Sequence, residues 1–436
     1  MATDVGLKPD VKVPPRTLWG YLRHAGPGLV VAMLWLGTGD LVDSSVSGGN
    51  YRYTFMWAIV VATVARFFVT SALAKYQLCN AQGDETVLGG FGRIWRGFPL
   101  LLATGGVILA FGYNASLLLG SAVALYHLFG GVGGDWTIFG WAVLLCGVSV
   151  FMATRRGQYK AIEWTALASV MVLVGAFLAA LALTGVDAGE AARGFAFGIP
   201  NDTGPIAAIV LVVSLIGGVG GSANNLLYTY FLHEKGWRGP SYRKQQVYDL
   251  LFGIIGIIVI DLAIWMVAAK VIPEAGLQVK DVTDLAKMMV IVMGPIGATL
   301  LWIGLLGAAY DGYPALAFGY SKMFVGAVHQ TFPARRARFK DPNSDPIMRW
   351  IQIPVLLILP LIFSLPFAPN FIVLTVFANA IAVVLIPAIV VGVVWITNKK
   401  EWLLPGWTNS WWENVIIIAV GGVGIWATFN LIRSFF

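Results

Sequence analysis

Apolar residues along this chain gather in long runs of about 20 or more. Stretches almost free of charge lie near residues 24–48, 51–78, 97–128, 134–153, 160–184, 204–233, 247–271, 288–325, 348–366, 368–397 and 412–435. A bilayer core about 30 Å thick is crossed by roughly 20 apolar residues in a helix. The pattern therefore predicts eleven transmembrane helices and no separate soluble domain between them. The first run has no Ala-x-Ala cleavage site behind it, so the first helix is expected to remain in the mature chain.

Two of these runs are interrupted by glycine and polar residues. The first carries Gly37-Thr38-Gly39-Asp40, and the sixth carries Gly217-Gly218-Val219-Gly220-Gly221-Ser222-Ala223-Asn224-Asn225. Glycine costs about 1 kcal/mol per helix position relative to alanine, and a cluster of it releases backbone carbonyls from the helical ladder. Glycine also serves close helix packing in membranes, but the polar neighbours favour unwound points here. Spans one and six are equivalent positions if spans one to five and six to ten form an inverted repeat, and such paired breaks point to a midplane binding site. The expected organisation is a polar tail over 1–23, a ten-helix core over 24–397 with halves 24–184 and 204–397, and an eleventh helix within 398–436.

Composition and charge agree with a lipid setting. Of 436 residues, 58% are hydrophobic and 12% are charged, about half the charged fraction of a soluble protein. That excludes a cytosolic multidomain enzyme and a disordered scaffold. The 29 basic against 22 acidic residues would suggest nucleic acid in a soluble protein. With the N-terminus placed inside, however, 22 Lys and Arg fall in cytoplasmic segments and 6 outside, with Arg66 within the second span. The surplus follows the positive-inside rule, giving a cytoplasmic N-terminus, an external C-terminus and a multi-pass protein of the cell membrane with no nucleic-acid partner. Cys79 and Cys146 stand on different spans without metal-type spacing and read as buried free thiols.

The chemistry is expected in the few polar residues at membrane depth. Asp40 and Asp43, three apart, share one helical face. A carboxylate at that depth is costly unless paired, solvated or bound to a cation; Asp40 also fits as a helix cap. The sixth span adds Asn224, Asn225 and the carbonyls near Gly218 and Gly221. Such carboxylate, amide and carbonyl oxygens suit a hard divalent cation. Asp261 and Asp311 are further intramembrane acids, open to a role in a vestibule, around the site, or in a structural pair with Arg66. Asn379 on the tenth span suits an interhelical hydrogen bond or a metal contact equally. Glu163, near Lys160, reads as an interfacial ion-pair residue. His24, His127, His233 and His329 lie at predicted helix ends or in loops and form no ligand set. Hydrolase, zincin and Walker motifs are lacking, so neither an enzyme nor a cofactor is expected.

These residues resemble the Nramp family of divalent metal transporters. Gly26-Pro27-Gly28 before the broken first span, Gly48, and Tyr53 ahead of Trp57 are similar to its first two helices. Gly120-Ser121-Ala122-Val123-Ala124-Leu125 resembles its third, and Ile216-Gly217 resembles the approach to its sixth-helix break. The resemblance covers nearly the whole chain. It implies an all-α, LeuT-type fold of 5+5 inverted repeats with discontinuous helices 1 and 6, plus an eleventh helix, working as a monomer by alternating access.

The departures from the family pattern are as informative. Where the family has Asp-Pro-Gly-Asn, this chain has Gly37-Thr38-Gly39-Asp40, so the charge moves one turn along the helix. Where the family has Met-Pro-His, it has Gly221-Ser222-Ala223. Loss of the thioether removes a soft ligand and enlarges the site. A roomy all-oxygen site fits a partly hydrated Mg²⁺, with Mn²⁺ also accepted, as in the Nramp-related magnesium transporters. The expected metal set is Asp40, Asp43, Gly37, Gly218, Gly221, Asn224, Asn225, Asn379 and Asp311. At the positions of the family's proton-handling residues stand Asn114, Leu117 and Ala223, none of which exchanges a proton near neutral pH. Transport without strict proton coupling is expected. The alternatives are a proton-coupled importer of Mn²⁺ or other transition metals, a cation symporter of a small organic solute, and a channel or metal sensor.

Overall fold

The computed structural model describes residues 38–154, 159–220, 223–339 and 341–434, with side chains described for these except 159–167, Phe231 and Glu234. The expectations for the tail 1–23, Gly37, Gly221, and the Glu163 and Lys160 side chains lie outside what is described. Among the described residues the chain is helical throughout, with one isolated bridge, Asn80 to Leu403, in place of any sheet.

Every predicted span coincides with helix. The first is described from Thr38 as α1 (Thr38–Tyr51), followed by α2 (Trp57–Cys79), α3 (Phe98–Leu128), α4 (Asp135–Thr154) and α5 (Tyr159–Thr184). The second half contains α6 (Ala208–Gly218), α7 (Asn224–Glu234), α8 (Arg243–Glu274), α9 (Pro295–Thr331), α10 (Pro346–Trp350), α11 (Phe371–Ile381) and α12 (Ile386–Asn398). The last helix is α13 (Trp411–Arg433). Seven helical segments among the described residues are long and apolar enough to cross a membrane, with α6 among the shorter apolar ones.

The sixth span divides as its glycines predict, into α6 ending at Gly218 and α7 beginning at Asn224. The ninth and tenth spans are irregular in a way their apolar runs do not announce. After α10 the helix widens to π geometry over Ile351–Ile358 and tightens to 3₁₀ over Leu359–Ser364. Pro354 and Pro360 lack the N–H donors that regular α-helical bonding needs. Side chains of neighbouring helices take up carbonyls in this stretch: Asn114 Nδ2 donates to Leu356 O at 2.7 Å, and the Tyr313 hydroxyl donates to Leu357 O. The tenth span contains a 3₁₀ turn, Ala382–Leu385, between α11 and α12, just ahead of Pro387.

Lipid tails are as apolar as leucine, so dispersion contacts and hydrogen bonds, more than the hydrophobic effect, hold the inner helices together. The most extensive packing joins α3 to α9, α1 to α8, α9 to α5 and α6 to α11. Trp265 of α8 is fully buried, meets Phe55 edge-on at 5.3 Å between ring centres, and donates from Nε1 to Arg52 O at 2.7 Å. One end of α1 is tied to distant loops, with Asn50 bonded to both the N–H and the carbonyl of Val279 and the Tyr51 hydroxyl donating to Ile206 O. These ties fix the helix that carries Asp40 and Asp43.

Candidate functional site

Asp40 falls in the first described turn of α1, and its side chain points inward with 2% of the residue exposed. Its Oδ2 is buried and accepts no hydrogen bond. An ionised oxygen left so costs several kcal/mol unless a cation or a proton meets it. Beside it lies a cavity with about 70 Å³ open to water, and one water needs about 10–15 Å³ of such space. There is room for several waters, or for a cation that keeps some of its own.

Asp43, one turn along, is satisfied. Its Oδ1 accepts from the Ser214 hydroxyl of α6 at 2.7 Å and its Oδ2 from Asn379 Nδ2 of α11 at 2.9 Å. This aspartate joins three helices and engages the amide nitrogen of Asn379, a residue that also lines the cavity. The approach requires glycine. A Cβ on Gly217 would collide with the Asn379 carbonyl oxygen, and one on Gly39 would stand 2.8 Å from Asn379 Nδ2.

The cavity is closed by the break in the sixth span and by helices α3, α9 and α11. Asn224, at the start of α7, lines it with Oδ1 accepting from the Tyr320 hydroxyl at 2.6 Å. Ser116 of α3 and Thr375 of α11 share a hydroxyl contact of 2.5 Å in its wall. Leu117, Leu227 and Leu316 supply apolar surface. Arg66 of α2, 1% exposed, also lines the cavity and donates through Nη2 to the Gly218 carbonyl. Among the described residues no three of His, Cys, Asp or Glu converge into a metal cage. The polar lining supplied by the described residues is one carboxylate, one guanidinium, amides and hydroxyls, which suits transient retention of a hydrated ion better than permanent chelation.

A family model described as "Natural resistance-associated macrophage protein-like", Nramp, matches residues 28–434. The chain belongs to the Nramp family. Among its relatives, Metal transporter Nramp4 of Oryza sativa subsp. japonica is 29% identical over 171 residues, covering 39% of this chain and 29% of that protein. The first relatives of this kind are thus matched over only about a third of their length. The divalent metal cation transporter MntH of Bacillus subtilis is 20% identical over 334 residues, covering 73% of this chain and 74% of that protein. A mutant of the manganese transporter of Eremococcus coleocola superposes with a TM-score of 0.71 at 16% identity, over 98% of this chain and 90% of that one. This likeness carries the fold, the LeuT-type helical arrangement expected from the sequence.

Within the Nramp fold the sequence-predicted site residues separate into groups. Asp40, Gly218, Asn224 and Asn379 come together around the cavity, while Asp43 stands behind Asn379. Asn225 does not reach it: successive residues on a helix face about 100° apart, and Asn225 turns to donate to Gly220 O at 3.2 Å in a neighbouring apolar crevice. Asp311 is partly exposed and outside the lining, where Gly312 takes the wall position instead. The Gly218 carbonyl, expected as a ligand, is bonded to Arg66. Ser116, Thr375 and Thr38 were missed as lining residues because hydroxyls on apolar helices carry little signal by themselves. The intramembrane position of Arg66 was the signal for that residue.

Proposed function

We propose that this protein carries divalent metal cations, Mg²⁺ and Mn²⁺, across the cell membrane, binding the ion partly hydrated on Asp40 near the midplane. The observation behind this reading is the unbonded Oδ2 of Asp40, buried beside a cavity with room for several waters and lined with oxygen-bearing side chains. Asn379 contributes an amide oxygen, oriented by Asp43, and retained waters complete the shell. Among the described residues the lining holds no sulfur, which favours hard ions over cadmium and zinc. The relatives' names, which include metal and divalent metal cation transporters, support cation transport in general; the preference for magnesium rests on the residues of this cavity.

The break between α6 and α7 opens the sixth span at the site about which one repeat moves against the other in alternating access. Asn114, Leu117 and Ala223 offer no proton exchange, so the driving force is the membrane potential, worth about 2.3 kcal/mol per charge per 100 mV. A competition series in proteoliposomes tests the reading: Mg²⁺ and Mn²⁺ should suppress each other's uptake, with Cd²⁺ a weak competitor. Strong preference for Cd²⁺ would contradict it. Internal pH during Mn²⁺ uptake should stay level; acidification that tracks the metal would show proton coupling.

A further inference from the structure

The cavity already contains a cation belonging to the chain. Arg66 is buried among helices, lines the cavity with Asp40, and holds the Gly218 carbonyl at the end of α6. The helix that carries Asp261, α8, packs against both α2, which carries Arg66, and α1, which carries Asp40. Asp261, on α8, is fully buried, and neither of its carboxylate oxygens has a hydrogen bond. Asp43 completes the group of acids and is held by Ser214 and Asn379. Other buried charged residues, Lys75, Asp249 and Asp345, lie toward helix ends or in loops.

Three carboxylates and one guanidinium, each counted as charged, sum to −2. One divalent ion brings it to zero. Without the guanidinium the empty cluster would stand at −3, a heavy penalty in a low-dielectric interior. An arginine suits the task because its charge persists on burial and its planar fork addresses more than one acceptor.

Resting on the divalent-cation reading above, we propose that Arg66 is a tethered counter-cation that occupies the metal site when it is empty. It holds the Gly218 carbonyl and offsets Asp40 until an entering ion displaces it toward Asp261, whose unbonded oxygens receive it. The loaded cluster is neutral and crosses the membrane without carrying net charge. The empty cluster retains −2, so an inside-negative potential acts on its outward return and favours net inward transport.

The test measures Mn²⁺ binding by calorimetry in nanodiscs, and net uptake against Mn²⁺ exchange in liposomes. Arg66→Gln removes the competing cation, so Mn²⁺ should bind about 10-fold or more tightly. Its net uptake should fall further than its exchange, because exchange does not require the empty protein to return. Asp261→Asn removes the alternative partner of Arg66 and should weaken binding. The double variant R66Q/D261N restores the −2 charge and should return affinity to within a few-fold of wild type. Unchanged or weaker binding in Arg66→Gln overturns the proposal, as does a double variant that fails to restore affinity. If Arg66→Gln does not fold, Asp261→Asn still decides, since unchanged or tighter binding there contradicts the displacement. Wild-type protein that binds no divalent cation would instead overturn the transport reading itself.

Discussion

Asp43 has two hydrogen-bond donors, and only one of them lines the cavity, so the two can be used to separate structural support from ion binding. Ser214→Ala and Asn379→Ala each remove one bond to the same carboxylate, at 2.7 and 2.9 Å. A hydrogen bond to a charged group is worth about 1.5–3 kcal/mol, and losing it strands a buried oxygen. Both variants should therefore lower the thermal midpoint in detergent by similar amounts. Their ion binding should diverge. Ser214→Ala leaves the Asn379 amide in the cavity wall, whereas Asn379→Ala also removes an oxygen donor. Loss of one ligand of comparable worth lowers affinity about 10- to 100-fold. Mn²⁺ titration of both purified variants, alongside melting curves, supplies the comparison. Equal losses of affinity at equal stability would refute the direct role given to Asn379, as would unaltered binding in Asn379→Ala.

Other expectations concern the scaffold. Gly217→Ala forces α6 away from the Asn379 carbonyl and should cost about 1–3 kcal/mol, seen as a lowered melting midpoint; an unchanged midpoint would show that the helices separate freely. Lys75 reaches Glu413 at 2.6 Å and Asn409 at 2.8 Å, fastening α2 to the start of α13. Lys75→Met should cost about 1–3 kcal/mol and expose residues 398–410 to protease; an unaltered digestion pattern would argue against the fastening. Outside the membrane, Arg335 forks onto both oxygens of Asp345 at 2.8 Å, and the Ile347 N–H and His329 also bond it. Arg335 foremost, these partners hold the Asp345 carboxyl well below its usual range. Its contribution to stability is full above the unfolded value near 3.9 and is lost as pH falls below that toward the depressed native value. A melting series from pH 6 to pH 3 should show this loss in wild type and a flatter profile in Asp345→Asn.

The spans were legible because lipid demands long apolar runs, and the break in the sixth was legible because glycines and asparagines interrupt one of them. The widened turn at Ile351–Ile358 was not, since its prolines disturb hydrogen bonding without changing hydropathy. In the site, the inward placement of Asp40 followed from the cost of burying a carboxylate. The different fates of Asp40 and Asp43 did not, because they depend on which residues of α6 and α11 arrive opposite each acid. Asn224 and Asn225 looked equivalent in sequence, and helical geometry separates them. The Gly218 carbonyl was recognisable as a freed acceptor, but its bond to Arg66 depends on how α2 packs against α6.

Asp40 is the residue proposed to hold the ion. Asp40→Asn keeps the shape of the side chain while removing its charge, and calorimetric titration with Mn²⁺ and Mg²⁺ reads the consequence directly. The variant should fold and melt at or above the wild-type temperature, since a buried charge has been removed, yet bind neither ion measurably. Wild-type affinity for either ion in the folded variant would contradict that role for Asp40.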